Sequence, residues 1–171
     1  MNLQSIQKIF EYHDGKLYWK VSPARNVPVG RQAGHKTSSG YRRIGFNKKH
    51  HFEHVLIFIL FNGYRPSQVD HIDGNICNNK IENLRAATAS QNQYNTKISL
   101  RNASKVKNVN WHKVNKKWEV RIGVNNQRLH LGVFEDLELA ELVAIEARNK
   151  YHKEFARHLL NLYLGGSCKP Y

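Results

Sequence analysis

The longest unbroken apolar run in this chain is Val55-Leu56-Ile57-Phe58-Ile59-Leu60-Phe61. Seven residues fall far short of the roughly 20 that a membrane-spanning helix needs, so the run predicts burial inside a globular core. Asn62-Gly63 behind it is a helix stop and Pro66 forbids quick continuation. The segment therefore reads as a buried helix. Met1-Asn2-Leu3-Gln4-Ser5 lacks the basic-then-apolar order of a signal peptide, and the expectation is a cytoplasmic protein with no membrane partner. Cys77 and Cys168 make neither a disulfide framework nor a Cys-x-x-Cys zinc knuckle.

Charge is the second constraint. The 171 residues carry 27 Lys+Arg against 13 Asp+Glu, a formal +14, which says nothing about fold but points to a polyanionic partner. Residues 1–50 hold ten basic and two acidic side chains, and residues 97–134 hold nine and one. Between these blocks, Arg65, Lys80 and Arg85 stand against Glu53, Asp70, Asp73 and Glu82. Residues 135–154 reverse the sign, with six acids and three bases. Two basic blocks flanking a balanced middle suit a protein that grips a phosphate backbone at two places and acts between them.

Local signals predict a mixed α+β chain. Lys16 to Lys20 and Tyr41 to Phe46 follow glycines and read as strands, with a long loop over Pro23 to Ser39. Val69-Asp70-His71-Ile72 and Leu84-Arg85-Ala86-Ala87 read as short strands, and Thr88 as the N-cap of a helix to about Asn95. Residues 97–105 are polar, basic and aperiodic, a linker. Val106 to Trp111, Trp118 to Val124 and Arg128 to Phe134 read as three more strands, the last two joined by an Asn125-Asn126 hairpin turn. Ala140, Val143, Ala144, Ala147 and Tyr151 form an amphipathic helical stripe with Asp136 as cap. The expected organisation is a domain over 1–96, a linker over 97–105, a second domain over 106–158 and a frayed tail over 159–171.

The chemically useful side chains crowd together as Asp70, His71, Asp73, Asn75, Asn78, Asn79, Asn83 and Asn92. Phosphodiester hydrolysis needs a hard divalent cation and a base that activates water. Oxygen ligands suit Mg²⁺ or Mn²⁺, whose shells waters and substrate oxygens complete, and a histidine is poised near neutral pH. Adjacent strand residues point to opposite faces, so Asp70 and His71 flank one phosphate only where the strand twists or bulges at its end. Asp73-Gly74-Asn75 reads as a loop, Asn78 and Asn79 as turn caps, and His54, at the start of a buried helix, as structural.

The run Pro66-Ser67-Gln68-Val69-Asp70-His71-Ile72-Asp73-Gly74-Asn75, then Asn78-Asn79, Ile81-Glu82-Asn83-Leu84-Arg85 and Asn92, resembles the HNH endonuclease motif, most of all that of phage and intron-encoded homing endonucleases. The likeness covers about residues 8–97. It implies a ββα-metal fold and double-stranded DNA as substrate. His71 would then be the general base, and Asp70 and Asn92 the ligands of one divalent ion, Mg²⁺ or Mn²⁺. Asn83 would accept a hydrogen bond from the second ring nitrogen of His71 and fix its tautomer. Asn stands where a final His is common in this family, which leaves the metal identity loose.

Downstream, cations and aromatics interleave. Trp118, Val120, Ile122 and Val124 share one strand face, Glu119 and Arg121 the other. Val106 to Trp111, Lys117 to Ile122, Leu131 to Phe134 and the following helix resemble the Apetala-two/ethylene-response-factor DNA-binding domain, over about residues 104–156. That likeness implies a three-stranded antiparallel sheet packed on one helix, reading DNA through Arg121 and Trp118 with Trp111 and Arg128 behind them. Lys116 and Lys117 would touch phosphate. Core packing is the competing reading of either tryptophan. Together these readings predict a metal-dependent HNH endonuclease of homing type, monomeric or weakly dimeric, with a non-catalytic DNA-binding regulator as the alternative.

Overall fold

The computed structural model describes residues 3–157; the expected tail at 159–171 lies outside them. Two compact units part between Ala87 and Thr88. Residues 97–105 hold no helix or strand, but the units part before them, so the helix that follows Thr88 belongs to the second unit rather than the first.

In the first unit, α1 (Leu3–Ile9) runs into the hairpin β1 (Phe10–His13) and β2 (Lys16–Trp19). Its turn, Asp14-Gly15, takes positive φ at both residues, 45° and 77°, the geometry that a two-residue hairpin favours. A three-stranded antiparallel sheet follows, β3 (His35–Lys36), β4 (Arg42–Phe46) and β5 (Lys49–Phe52). Then come α2 (Glu53–Asn62) and the antiparallel pair β6 (Gln68–His71) and β7 (Leu84–Ala87). The apolar run is indeed helical: α2 carries apolar residues on all sides and is surrounded accordingly, packing on α1, β2, β4, β5, β6 and β7. Leu56, Ile57, Phe58 and Ile59 meet Ile6, Phe10, Leu17, Trp19, Ile44, Phe46, Val69 and Leu84 in one core. Gly63 ends the helix in the left-handed conformation, its N–H on the Ile59 carbonyl at 2.9 Å.

The second unit opens with α3 (Ala89–Tyr94), whose N-cap Thr88 forms a capping box with Gln91. The antiparallel sheet β8 (Val109–His112), β9 (Lys117–Val124) and β10 (Gln127–Phe134) has β9 at its centre. Asn125 and Asn126 make the β9–β10 turn with φ of 47° and 64°. Asp136 caps α4 (Leu137–His152) by accepting from the Glu138 and Leu139 amides. Ala140 and Ala144 pack on Val106, Val109 and Val120, and Trp118, Leu131 and Phe134 close over them. The Tyr94 ring stacks on His152 at 3.7 Å and 6°, and His152 Nε2 meets the Gly123 carbonyl at 2.8 Å. No helix among the described residues is long and apolar enough to cross a membrane.

α1, β1 and β5 escape the sequence signals, and β3 falls inside the segment Pro23 to Ser39 read as a long loop. The first is only seven residues long, and β5, Lys49-His50-His51-Phe52, carries no β-branched residue.

His54, in the first turn of α2, is buried against Tyr41, Phe52 and His71. Burial, helped by the neighbouring His71, pushes its pKa down from 6.5 to about 3. Above pH 6.5 the imidazole is neutral in both states. As the pH falls from 6.5 toward 3, the unfolded chain takes up a proton that the folded chain refuses, and stability drops by about 1.4 kcal/mol per pH unit through this group. His54→Gln is expected to remove that slope, read as hydrogen-exchange protection of the α2 amides between pH 6 and 4. An unchanged slope in the variant would refute the assignment.

Candidate active site

The site begins with a cross-strand pair. Asp70 on β6 stands in register with Arg85 on β7, and the guanidinium forks onto Asp70 Oδ2 through Nε at 2.9 Å and Nη2 at 2.7 Å. Asp70 is 5% exposed, so this ion pair supplies the positive charge that a buried carboxylate requires. His71, 4% exposed, ends the strand in regular register opposite Leu84. The bulge considered from the sequence is absent from this pair; His71 is the last residue of the strand, and Tyr41 neighbours both side chains, its ring 6.3 Å from that of His71 and its pKa raised by burial and by the Asp70 charge.

His71 Nε2 lies 2.8 Å from Asn79 Oδ1. The Asn79 amide nitrogen donates to Glu53 Oε2 at 2.9 Å, while Glu53 Oε1 accepts from the Leu17 N–H at 3.0 Å. Because the amide nitrogen of Asn79 is committed to Glu53, its oxygen faces His71. Nε2 must then carry the hydrogen, which leaves Nδ1 as the lone-pair nitrogen. Burial pushes the His71 pKa down, against the opposing pull of Asn79, Asp73 and Asp70. The imidazole is held neutral, the state a base needs. Burial raises the Glu53 pKa, and the Leu17 amide, Arg42 and Asn79 act to keep it charged. Arg42 Nε sits 3.9 Å from Glu53 Oε2.

The expected bond from His71 to Asn83 is replaced by this arrangement. Asn83 Oδ1 accepts from the Asp73 N–H at 3.0 Å, and its Nδ2 donates to Asp73 Oδ1 at 2.9 Å and the Asn78 carbonyl at 2.8 Å. Asn78 Nδ2 donates to Asp73 Oδ2 at 2.8 Å. Asp73, Asn75 and Asn78 thus knit the β6–β7 loop, as their turn chemistry predicts, and Asn83 joins them, reaching His71 only through that loop. Asn79 and Glu53 are the residues that sequence reasoning missed. One signal was available: Glu53 opens a helix with no polar face, so its carboxylate had to find partners indoors. Asn92 lies on α3, in the second unit.

Among the described residues no group of three or more His, Cys, Asp or Glu side chains forms a metal cage. The donors expected from the sequence, the Asp70 carboxylate and the Asn92 amide oxygen, are hard oxygen ligands. Their chemistry fits Mg²⁺ or Mn²⁺, which tolerate few protein ligands when water and phosphate supply the rest.

In the second unit the expected DNA contacts separate onto two faces. Asn110, Lys117, Glu119, Arg121, Arg128 and His130 share the sheet face turned away from α4. There Glu119 Oε1 takes Arg121 Nη2 at 2.6 Å and His130 Nδ1 at 3.2 Å. Lys117 pairs with Glu135 at 3.1 Å, and Lys116 lies in the β8–β9 turn at φ 50°. Trp111 and Trp118 face the other way, paired across β8–β9 with ring centroids 4.7 Å apart. Trp118 packs on the core and Trp111 is 43% exposed. For Trp118, core packing is the role this geometry gives.

Residues 51–94 match the HNH endonuclease family, so α2, the β6–β7 ladder and α3 fall within an HNH endonuclease domain. Over 108 residues the chain is 32% identical to Protein 3.8 of Escherichia phage T7, covering 61% of this chain and 87% of that protein. The chain belongs to the family of that phage protein. No solved structure matches it.

Asn79→Ala strips the buried Glu53 carboxylate of a donor and His71 of its acceptor, with an expected cost of about 1–3 kcal/mol in stability. The ¹⁵N imidazole resonances of His71 should report the Nε2–H tautomer in the wild type and a mixture in Asn79→Ala. An Nδ1–H tautomer in the wild type would overturn the arrangement.

Proposed function

We propose that the chain is a metal-dependent DNA endonuclease of the HNH homing type, hydrolysing phosphodiester bonds in duplex DNA at sites read largely by its C-terminal sheet. The observation that carries this reading is the buried run Glu53–Asn79–His71, which fixes one neutral imidazole beside Asp70 within the segment that matches the HNH family.

In this reading His71 Nδ1 takes a proton from the attacking water. The Nε2–H stays on Asn79 Oδ1, which is also the acceptor that the resulting imidazolium needs. The water oxygen adds to phosphorus in line with the P–O bond that breaks, and the departing oxygen is protonated from solvent. Asp70 would be a protein ligand of one Mg²⁺ or Mn²⁺, which when bound neutralises the phosphate and the leaving oxygen. Arg85 holds the Asp70 carboxylate in place. Asn83 serves the loop that carries Asn79 rather than the imidazole itself.

The second unit, like an Apetala-two/ethylene-response-factor domain, would lay its open sheet face along the major groove. Arg121 and Arg128, which share that face, would read bases, and Lys116 and Lys117 would touch phosphate. Glu119 fixes the direction of Arg121.

The test is conversion of supercoiled plasmid to nicked or linear form with Mg²⁺ or Mn²⁺ and with EDTA. Metal-dependent cleavage should fall by about 10²–10⁴-fold in His71→Ala, the usual contribution of a general base. Tight binding with the DNA left intact across targets and metals would instead make the protein a regulator.

A further inference from the structure

The first unit contains a second surface with the composition of a polyanion site. Residues 15–52 include nine Lys and Arg and not one Asp or Glu. The β3–β4–β5 sheet sorts this segment by alternation. Ile44 and Phe46 point into the core, so Arg43 and Gly45, with their cross-strand partners His35, Phe52 and His50, lie on the opposite, open face. His35, Gly45, His50 and Phe52 are exposed, Phe52 at 41%.

Lys36, Arg43, Lys48 and Lys49 are left without acidic partners among the described residues, and Arg43 Nε is buried with no hydrogen-bond partner. The C-terminal sheet behaves differently, since Glu119 and Glu135 already hold Arg121, His130 and Lys117.

The shape is as informative as the charge. Asn47 and Lys48 form the β4–β5 turn with φ of 50° and 58°. A groove beside that turn has Trp19 and Phe46 among its lining and Lys48, Lys49 and His50 with them. At the other end of β5, the Phe52 ring stacks on His54 at 5.6 Å and 12°, and His54 meets His71 at 4.9 Å. The sheet therefore carries the lysine turn at one end of β5 and, at the other, the exposed Phe52 ring stacked on the buried His54, which in turn meets His71.

We propose that the open face of β3–β4–β5 and its β4–β5 turn form a DNA-backbone cradle that holds the duplex flanking the bond to be cut. Arg43 meets phosphate from the open face, Lys48 and Lys49 meet it from the turn end, where Lys49 is the register partner of Phe46, and Phe52 offers a flat ring at the opposite end of β5. The contacts are to phosphate and therefore independent of sequence. The nuclease half would grip DNA by itself, whatever the second unit reads. The occupant rests on the endonuclease reading, whereas the surface does not.

The experiment is binding of the full chain to a fluorescent duplex of about 30 base pairs in EDTA, followed by anisotropy over a salt series, with plasmid cleavage run in parallel. Lys48→Gln/Lys49→Gln removes two lysine–phosphate pairings and should lower the slope of log K against log salt by about 1.8, since each neutralised phosphate adds about 0.9. Lys150→Gln/Lys153→Gln, the same charge change on α4 and just beyond, should leave the slope within about 0.3 of wild type. Circular dichroism checks that the fold persists; both lysines of the turn are exposed. An unchanged slope in the Lys48/Lys49 variant, or an equal fall in the α4 variant, overturns the cradle. Cleavage that persists while the Lys48/Lys49 variant binds normally defeats the cradle and spares the endonuclease. A salt-sensitive wild type that never cleaves, with binding weakened in the turn variant, does the reverse. A wild type that fails to bind overturns both.

Discussion

The arrangement of the nuclease half depends on one buried carboxylate. Glu53 is 2% exposed, and burying an ion in this way costs several kcal/mol unless donors surround it. Its partners come from separate places: the Leu17 amide on β2, the Gln32 side chain, Arg42 on β4 and Asn79 in the β6–β7 loop. Glu53 itself sits in the first turn of α2, where the helix dipole favours negative charge. Satisfying that single group therefore ties the hairpin, the sheet, the helix and the loop together. The orientation of His71 follows from it, because Asn79 can turn its oxygen to the imidazole only while its nitrogen is held by Glu53.

The loop that carries Asn79 is held from a second side. Gly15 comes so close to the Asn79-Lys80 backbone that a side-chain carbon there would lie 2.9 Å from Lys80 N, at a φ of 77° that disfavours any other residue. Asp14 adds an ion pair to Lys80 at 2.8 Å, though both partners are exposed and such a pair contributes little by itself. The β1–β2 turn and Glu53 thus bracket Asn79. The loop is closed further by Asp73 and Asn83, so the positioning residue sits on a stiff support although it lies outside regular structure.

How much of this was legible in the sequence follows the range of the interactions. Thr88, Asn125-Asn126, Asp136 and Gly63 act within a turn or two of themselves, and each is where local chemistry put it. Trp118 shares strand parity with Val120 and Ile122, so its place on the helix side was readable from alternation. The partner of His71 was not. Asn79 looks like a turn residue, and it becomes a positioning residue only because a carboxylate 26 residues earlier meets it inside the core. Asn83 has the expected spacing but spends its amide on Asp73 and Asn78, a choice set by loop geometry that spacing does not encode. The strand β5 went unseen because its pairing with β4, rather than any propensity of Lys-His-His-Phe, makes it a strand.

The same pairing logic explains how a chain of net charge +14 holds its acids. Glu53, Asp70 and Glu119 are the buried carboxylates among the described residues, and each has an arginine beside it: Arg42 at 3.9 Å, Arg85 at 2.7 Å and Arg121 at 2.6 Å. In the interior the charges cancel, as desolvation demands. These pairs take three carboxylates out of the solvent while Arg121 stays 49% exposed, so the excess of positive charge falls on the surface. Where an acid is supplied, as at Glu119, an arginine is held in one direction, which suits the reading of a base edge. Where none is supplied, as at Arg43, Lys48 and Lys49, the cations keep their full field, which suits the backbone of a polyanion. Both kinds of surface follow from where the 13 acidic residues are placed.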